Sequence, residues 1–445
     1  MSDDPIRWIW AALTVVAWLA FTGWKIRRVR ARPTAAAQPG STLIAVASQT
    51  GFGDELAEMT RKAFADAGCP ARVKSFADIE PTDLIAARIL FIASTTGEGD
   101  APDSASRFVR RIMTDQTRLE GLEYGLLSLG DRTYVEFCGY GRALDGWLKS
   151  AGARPLFDAV EVDNGDAAAV RHWQGELSRL TGSVAAPDWA APAYADWRLV
   201  ERRLLNPGSP GEGAWHLAFE PVDGAPPWVA GDIAEVGTPS PEGGLAHREY
   251  SVASLPADGR AEFLIRLMRR PDGTPGLASG WLTETLEIGE IAQMRIRANR
   301  AFHGPEAATP MILIGNGTGI AGLRSHLKAR AARKATAGAW LMFGERTAVH
   351  DSFHDAELRG WLAEGTLTRL DRTFSRDPGD GRYVQAVIEA EADSVRDWVA
   401  RGAAIYVCGS LEGMAGGVNT ELETVLGADA LRDLVETGRY RRDVY

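Results

Sequence analysis

The stretch Ile312-Leu-Ile-Gly-Asn-Gly-Thr-Gly-Ile-Ala-Gly322 decides how the rest of the chain is read. Pro310 to Ile314 is an apolar run of strand length. Gly315, Gly317 and Gly319 follow at once, and Leu323 and Leu327 restart an apolar rhythm at helical spacing. Strand, glycine turn and helix build a phosphate-binding loop. Glycine lets backbone N–H groups come close to a charged group, and the helix start faces it with its positive end. Taken alone, the same loop also describes tight strand–helix packing. Only a demand for a dinucleotide elsewhere in the chain separates the two readings.

A chain of 445 residues holds two or three domains. Lys+Arg 49 against Asp+Glu 59 leaves a net charge of −10, which opposes nucleic acid as a partner. Cys69, Cys138 and Cys408 are too scattered for a disulfide framework or a metal knuckle, so a reducing compartment is expected. His350 and His354, flanked by Asp351 and Asp355, have helical spacing but no evident third ligand. A helix start is the better reading, and no metal site is expected.

Trp8 to Trp24 contains no charged residue and carries tryptophan at both ends, the pattern of one transmembrane helix. Lys25, Arg27, Arg28, Arg30 and Arg32 follow, which argues against a cleaved signal peptide. By the positive-inside rule they put the remainder in the cytoplasm, on an inner membrane. Residues 33–40 then read as a linker.

Thr42 to Ala47, Arg88 to Ala93 and Gly125 to Leu129 read as buried strands alternating with helices, hence a parallel doubly wound sheet. In such sheets the ligand sits beyond the carboxyl ends of the strands. Here those ends carry Ser48-Gln-Thr-Gly-Phe-Gly53, Ser94-Thr-Thr-Gly-Glu-Gly-Asp100 and Gly130-Asp-Arg-Thr-Tyr134. The hydroxyls and amides of the first loop suit a phosphate, and Tyr134 offers a ring to stack.

These loops, with Leu129 to Cys138, resemble the three FMN loops of a flavodoxin domain, in the version found in diflavin reductases. The resemblance implies an FMN site built from Ser48, Gln49, Thr50, Gly51, Phe52 and Gly53. Ser94, Thr95, Thr96 and Gly97 would follow, then Leu129, Gly130, Asp131, Tyr134, Phe137 and Cys138. Thr96 stands where some relatives carry a second aromatic.

After a proline- and alanine-rich stretch the pattern changes. Trp197 to Leu205, Ala214 to Glu220, His247 to Ala253 and Glu262 to Met268 read as strands between Pro/Gly turns, suggesting an antiparallel barrel. Arg248 and Tyr250, two apart on one strand face, suit a phosphate clamp beside a flat heterocycle. Arg-x-Tyr-Ser followed by Gly276-x-x-Ser279 resembles the FAD signature of the ferredoxin–NADP reductase family. That likeness implies FAD held by Arg248, Tyr250, Ser251, Gly276 and Ser279.

The last third returns to strand–helix alternation at Trp340 to Phe343, Thr366 to Leu370 and Ala404 to Val407. It is similar to the NADPH half of the same family. Gly317 and Thr318 would hold the pyrophosphate. Arg346, Ser375, Arg376, Tyr383 and Gln385 would surround the ribose 2′-phosphate. Ser251, Cys408, Asp443 and the final Tyr445 would form the reductase site, with Tyr445 stacked over FAD.

The expected organisation is an anchor and linker over 1–41 and a flavodoxin-like FMN domain over 42–182. A hinge over 183–196 leads to an FAD-binding barrel over 197–305 and an NADPH domain over 306–445. Only about fifty residues precede Arg248 in the barrel, which leaves no room for the helical connecting domain of relatives. The expected activity is electron transfer from NADPH through FAD and FMN to a haem or iron acceptor at a membrane. The alternative is the sulfite reductase flavoprotein component.

Overall fold

Apolar strands buried on both faces organise the first sheet of the computed structural model. The model describes residues 41–445, except Ala86, Thr133, 184–188, 190–192, Ala225 and Glu242. Six strands run parallel: β1 (Thr42–Ala47), β2 (Ala71–Ser75), β3 (Arg88–Ser94), β4 (Glu123–Gly130), β5 (Arg154–Pro155) and β6 (Val160–Asp163). Their order is β2-β1-β3-β4-β5, with β6 also paired to β4. Alternation along β3 sends Phe91 into one core with Phe76, Phe108 and Trp147, and Leu90 and Ile92 into the other with Trp173. The chain leaves β1 towards β2 and returns on its other side to β3. The topological switch, and with it the expected ligand crevice, therefore lies between the ends of β1 and β3.

The second sheet has six antiparallel strands: β7 (Ala195–Leu204), β8 (Ala214–Pro221), β9 (Ile233–Pro239), β10 (Leu245–Ser251), β11 (Ala261–Arg266) and β12 (Ile291–Arg297). Their order is β10-β9-β12-β7-β8-β11, so β10 and β11 end the sheet without pairing to each other among the described residues. Its core gathers Trp197, Leu199, Phe219, Phe263 and Met294. Two of the strands, β9 and β12, were not expected. β7 starts at Ala195, inside the stretch read as hinge; most of the rest of that stretch lies outside the described residues.

The third sheet is parallel: β13 (Met311–Asn316), β14 (Ala339–Glu345), β15 (Arg369–Phe374), β16 (Ala404–Gly409) and β17 (Tyr440–Val444), in the order β15-β14-β13-β16-β17. β15 lies further along the chain than the expected Thr366 to Leu370. Its charges are paired within the fold, Arg369 with Asp371 and Glu391, and the Arg369 guanidinium lies 4.4 Å from the Trp340 ring centre. The switch here falls between β13 and β16, which brings the Gly317 loop and the turn after Gly409 together. His354 stands at the start of helix Asp355–Glu364, while His350 Nδ1 is 2.9 Å from the Pro207 carbonyl.

All three sheets belong to one compact unit, Thr42–Tyr445. The Trp8 to Trp24 segment, and the membrane span expected of it, lie outside the described residues. Among the described residues no helix is long and apolar enough to cross a membrane.

Candidate cofactor sites

The first loop turns at Gly51, whose φ of 87° favours glycine, and hands over to helix Phe52–Asp66. Gly51 N–H donates to Ser48 Oγ at 3.0 Å, and a Cβ on Gly53 would lie 3.1 Å from that of Ser48. The second loop closes on itself. Thr96 N–H donates to the Asp100 carbonyl at 2.9 Å and Asp100 N–H returns the bond at 2.8 Å. Gly97 and Gly99 supply left-handed backbone at φ 51° and 105°. In the third loop Cys138, at φ 55°, turns its thiol to the Ser128 carbonyl at 3.5 Å. Phe137 is buried beneath the Arg132 guanidinium, 4.4 Å from the ring centre. Leu129, Gly130 and Asp131 carry the chain out of β4 into this loop.

Two observations fit FMN to this crevice. The Thr95 hydroxyl is buried with no partner, at the end of a strand where a ligand belongs. The Tyr134 ring is 39% exposed, open for stacking. The Ser94 hydroxyl would be 3.5 Å from a Cβ on Gly53, so the first two loops meet.

On the second sheet, Arg248 is exposed on β10 and Tyr250 is half-buried against the sheet core. Ser251 ends the strand and donates its hydroxyl to Asp443 Oδ2 at 2.7 Å. Cys408 Sγ lies 3.7 Å from the same oxygen. Residues 251, 408 and 443 thus converge around one carboxylate. Burial pushes the Asp443 carboxyl above its ordinary range, and the bonds from Ser251 and Cys408 pull part of the way back. Burial first, then the Asp443 charge, drives the Cys408 thiol well up, so it stays protonated. A Cβ on Gly322 would meet Cys408 Sγ at 3.1 Å, the Phe302 ring at 3.3 Å and Ser251 Cβ at 3.6 Å, so the helix passes close to this cluster and a larger residue would push on it.

Exposed Arg248 offers a guanidinium to a phosphate tail two residues from the Tyr250 ring on the same strand, so FAD fits this face. Gly276 precedes a short helical turn whose Ser279 is buried and accepts the Met268 N–H at 3.0 Å. Ser279 thereby fixes the loop in which Gly276 lies.

The third set of loops accepts a dinucleotide. Gly317, at φ 55°, leads through Thr318 and Gly319 into helix Ile320–Ala332. Ser375 N–H donates to the Glu345 carbonyl and Arg376 N–H to the Arg346 carbonyl, each at 2.8 Å. These two bonds gather Arg346, Ser375 and Arg376 at one corner. Tyr383 there is 64% exposed, and Gln385 opens the following helix. Tyr445 returns to the Gly317 loop, its hydroxyl 3.0 Å from Thr318 Oγ1.

Some participants were missed. Asp103, just after the second loop, and Arg297, on unexpected strand β12, both touch the first loop's neighbourhood: Arg297 Nη1 donates to the Thr50 carbonyl at 2.9 Å. Buried Glu345 pairs with half-buried Arg266 beneath Gly317. No motif marked these residues, since Arg297 and the Glu345–Arg266 pair meet partners in other domains and Asp103 meets Gln49 at a sequence separation of 54.

A flavodoxin loop set on one sheet, a nucleotide loop set on another and an antiparallel sheet between them are the make-up of a diflavin reductase, a flavoprotein oxidoreductase. Residues 44–173 match the Flavodoxin family model and residues 313–420 match the Oxidoreductase NAD-binding domain. Across nearly its whole length the chain is similar to sulfite reductase [NADPH] flavoprotein alpha-components. The relative from Vibrio cholerae is 27% identical over 554 aligned positions, covering 94% of this chain and 90% of the relative. That from Neisseria meningitidis is 26% identical, covering 99% and 96%. That from Bacillus subtilis is 25% identical, covering 94% and 91%. The aligned lengths exceed the 445 residues of the chain, so these relatives carry inserted segments that it lacks.

Proposed function

We propose that the chain takes electrons from NADPH through FAD and FMN to a one-electron acceptor, a haem or iron centre, at a membrane. The convergence of Ser251, Cys408 and Asp443 beside the Thr318–Tyr445 contact carries the reading, because it joins the nucleotide loop to the flavin face. When bound, the flavins supply the step from hydride acceptance to single-electron delivery.

The residues supply placement and charge. Gly317 to Gly319 and the helix behind them receive the pyrophosphate. Ser375 and Arg376 meet the ribose 2′-phosphate, where a carboxylate would instead select the bare hydroxyl. Asp443, holding the Ser251 proton at Oδ2, places negative charge where a nicotinamide becomes positive on losing hydride. Tyr445, held at Thr318, would cover the flavin face and would have to move before nicotinamide entered.

Purified protein given FMN and FAD should be yellow, bleach with NADPH and reduce a ferric haem acceptor. Protein that stays colourless after flavin addition overturns the reading. A second reading, the flavoprotein component of a sulfite reductase, is favoured by what the relatives are called. A sulfite reductase haemoprotein then accepts electrons from this chain faster than other haem proteins do.

Membrane attachment, with the catalytic domains on the cytoplasmic side of an inner membrane, is supported by the uncharged Trp8 to Trp24 run and the basic cluster after it. Protein lacking residues 1–41 should leave the membrane fraction with its flavin reduction intact. Unchanged partitioning rules the anchor out.

A further inference from the structure

Neighbouring residues of a strand face opposite ways, and β17 uses both faces. Asp443 turns to Ser251 and Cys408. Arg442 turns to the flavodoxin domain, where Nε donates to Asp103 Oδ2 at 3.1 Å and Nη2 to Oδ1. The Arg442 carbonyl accepts Gln49 Nε2 at 3.2 Å, and Gln49 Oε1 accepts the Asp103 N–H at 3.2 Å. One residue of the nucleotide half therefore grips the first flavin loop and the segment that follows the second. The pair is partly shielded, with the Arg442 and Asp103 side chains 30% and 17% exposed, and its two-pronged geometry is the strong form of an ion pair. Three residues along, Tyr445 N–H donates to the Gly409 carbonyl at 3.1 Å and its carbonyl accepts the Leu411 N–H at 2.8 Å. β17 is an edge strand, paired with β16 alone.

We propose that Arg442 is a positioning residue that couples docking of the flavodoxin domain to closure of the Tyr445 gate. The proposal rests on the reading of Tyr445 given above. With the flavodoxin domain docked, Arg442 is anchored at its side chain and its carbonyl, and the strand end stays seated on the Gly317 loop. With it undocked, both anchors go, and the strand end shifts more freely to admit nicotinamide. Coupling of this kind is reciprocal, so nicotinamide nucleotide also loosens docking by the same factor.

The test uses the full chain loaded with both flavins and substitutes on the flavodoxin side, away from the nucleotide. In Asp103→Asn, pulsed EPR between spin labels on the two halves should show a larger undocked population. Calorimetry should show NADP+ binding about 5-fold tighter, the low end of usual site–site coupling. The charge swap, Asp103→Arg with Arg442→Asp, should return both readouts towards the parent protein. Arg442→Lys, which keeps the charge but loses the fork, should fall between. Undocking in Asp103→Asn with NADP+ affinity unchanged overturns the coupling, as does unchanged docking. If the parent protein itself fails to bind NADP+, the nucleotide-site reading falls, and the proposal with it.

Discussion

Replacing Arg324 by methionine tests how the nucleotide domain holds the end of β10 in place. Arg324 is buried, and Nη1 donates to the Ala253 carbonyl at 3.0 Å and to Glu262 at 2.5 Å. Nε and Nη2 donate to the two oxygens of Glu357 at 2.5 and 3.1 Å. Ala253 is two residues beyond Ser251, so the same guanidinium supports the site and joins two domains. Charges this close interact by about 4 kcal/mol at an effective dielectric of about 20. Removing one partner of a buried pair typically costs about 3–5 kcal/mol, because the other charge is stranded. Glu262 is the group that loses more, since its side chain is 4% exposed and keeps only its 2.8 Å bond from the part-exposed Arg260, whereas that of Glu357 is 28% exposed and recovers water. Arg324→Met should thus lose about 3 kcal/mol, the low end of that range because Arg260 still offsets part of the Glu262 charge, at pH 7 in urea unfolding of the flavin-loaded protein.

The pH dependence of that loss carries a sign. Burial pushes the Glu262 carboxyl up, but the Arg324 charge and hydrogen bond outweigh it and hold the group at about 2, below its ordinary 4.5. In the parent protein this stabilisation is complete above the ordinary value and disappears as pH falls towards the depressed one. In Arg324→Met burial acts without that charge, so Glu262 protonates at higher pH and the variant recovers part of its loss on acidification. The gap between the two proteins should therefore narrow from pH 7 to about 4. A loss under about 1 kcal/mol, or a gap independent of pH, refutes the reasoning.

Asp443→Asn should slow flavin reduction by NADPH roughly 10- to 100-fold in stopped-flow, the equivalent of one charge-assisted hydrogen bond. In the parent protein that rate should rise with pH through an Asp443 pKa above the ordinary carboxylate value. Arg376→Ala should weaken NADPH binding by about 10-fold or more and leave NADH binding nearly unchanged, as read by inhibition with the two oxidised nucleotides. Deleting Tyr445 should raise NADH use relative to NADPH in steady-state assays. An unchanged preference argues against the stacked position.

Both parallel sheets could be read from sequence because their central strands are buried on both faces and leave continuous apolar runs, as at Ile89 to Ala93 and Ile312 to Ile314. The strands that escaped notice carry charge. β12 ends in Arg295-Ile-Arg297, and β17 is Tyr440-Arg-Arg-Asp-Val444. Their arginines look solvated in a linear reading. In the fold Arg295 pairs with Glu55 of the flavodoxin domain and Glu235, while Arg297 pairs with Glu249. The convergence of 251, 408 and 443 was foreseen only through family resemblance, since nothing local to any one residue points to the other two. The grip of Arg442 on Asp103 had no signal, because no periodicity records a contact between residues 339 positions apart.

The glycines behind the nucleotide loop divide this site into a frozen part and an adaptable part. A Cβ on Gly315 would lie 2.7 Å from the Cys408 carbonyl oxygen, and one on Gly319 only 2.1 Å from it. Backbone blocks these positions, so side chains are excluded whatever the nucleotide. At the proposed ribose corner Gly379 has nothing within 4 Å of an added Cβ, and Arg376 and Tyr383 are exposed, while Gly381, at φ 66°, keeps a preference for glycine. Natural drift or engineering can rewrite positions 376, 379 and 383 at little cost to folding. A change of coenzyme preference would be sought there, while the pyrophosphate cradle stays constant.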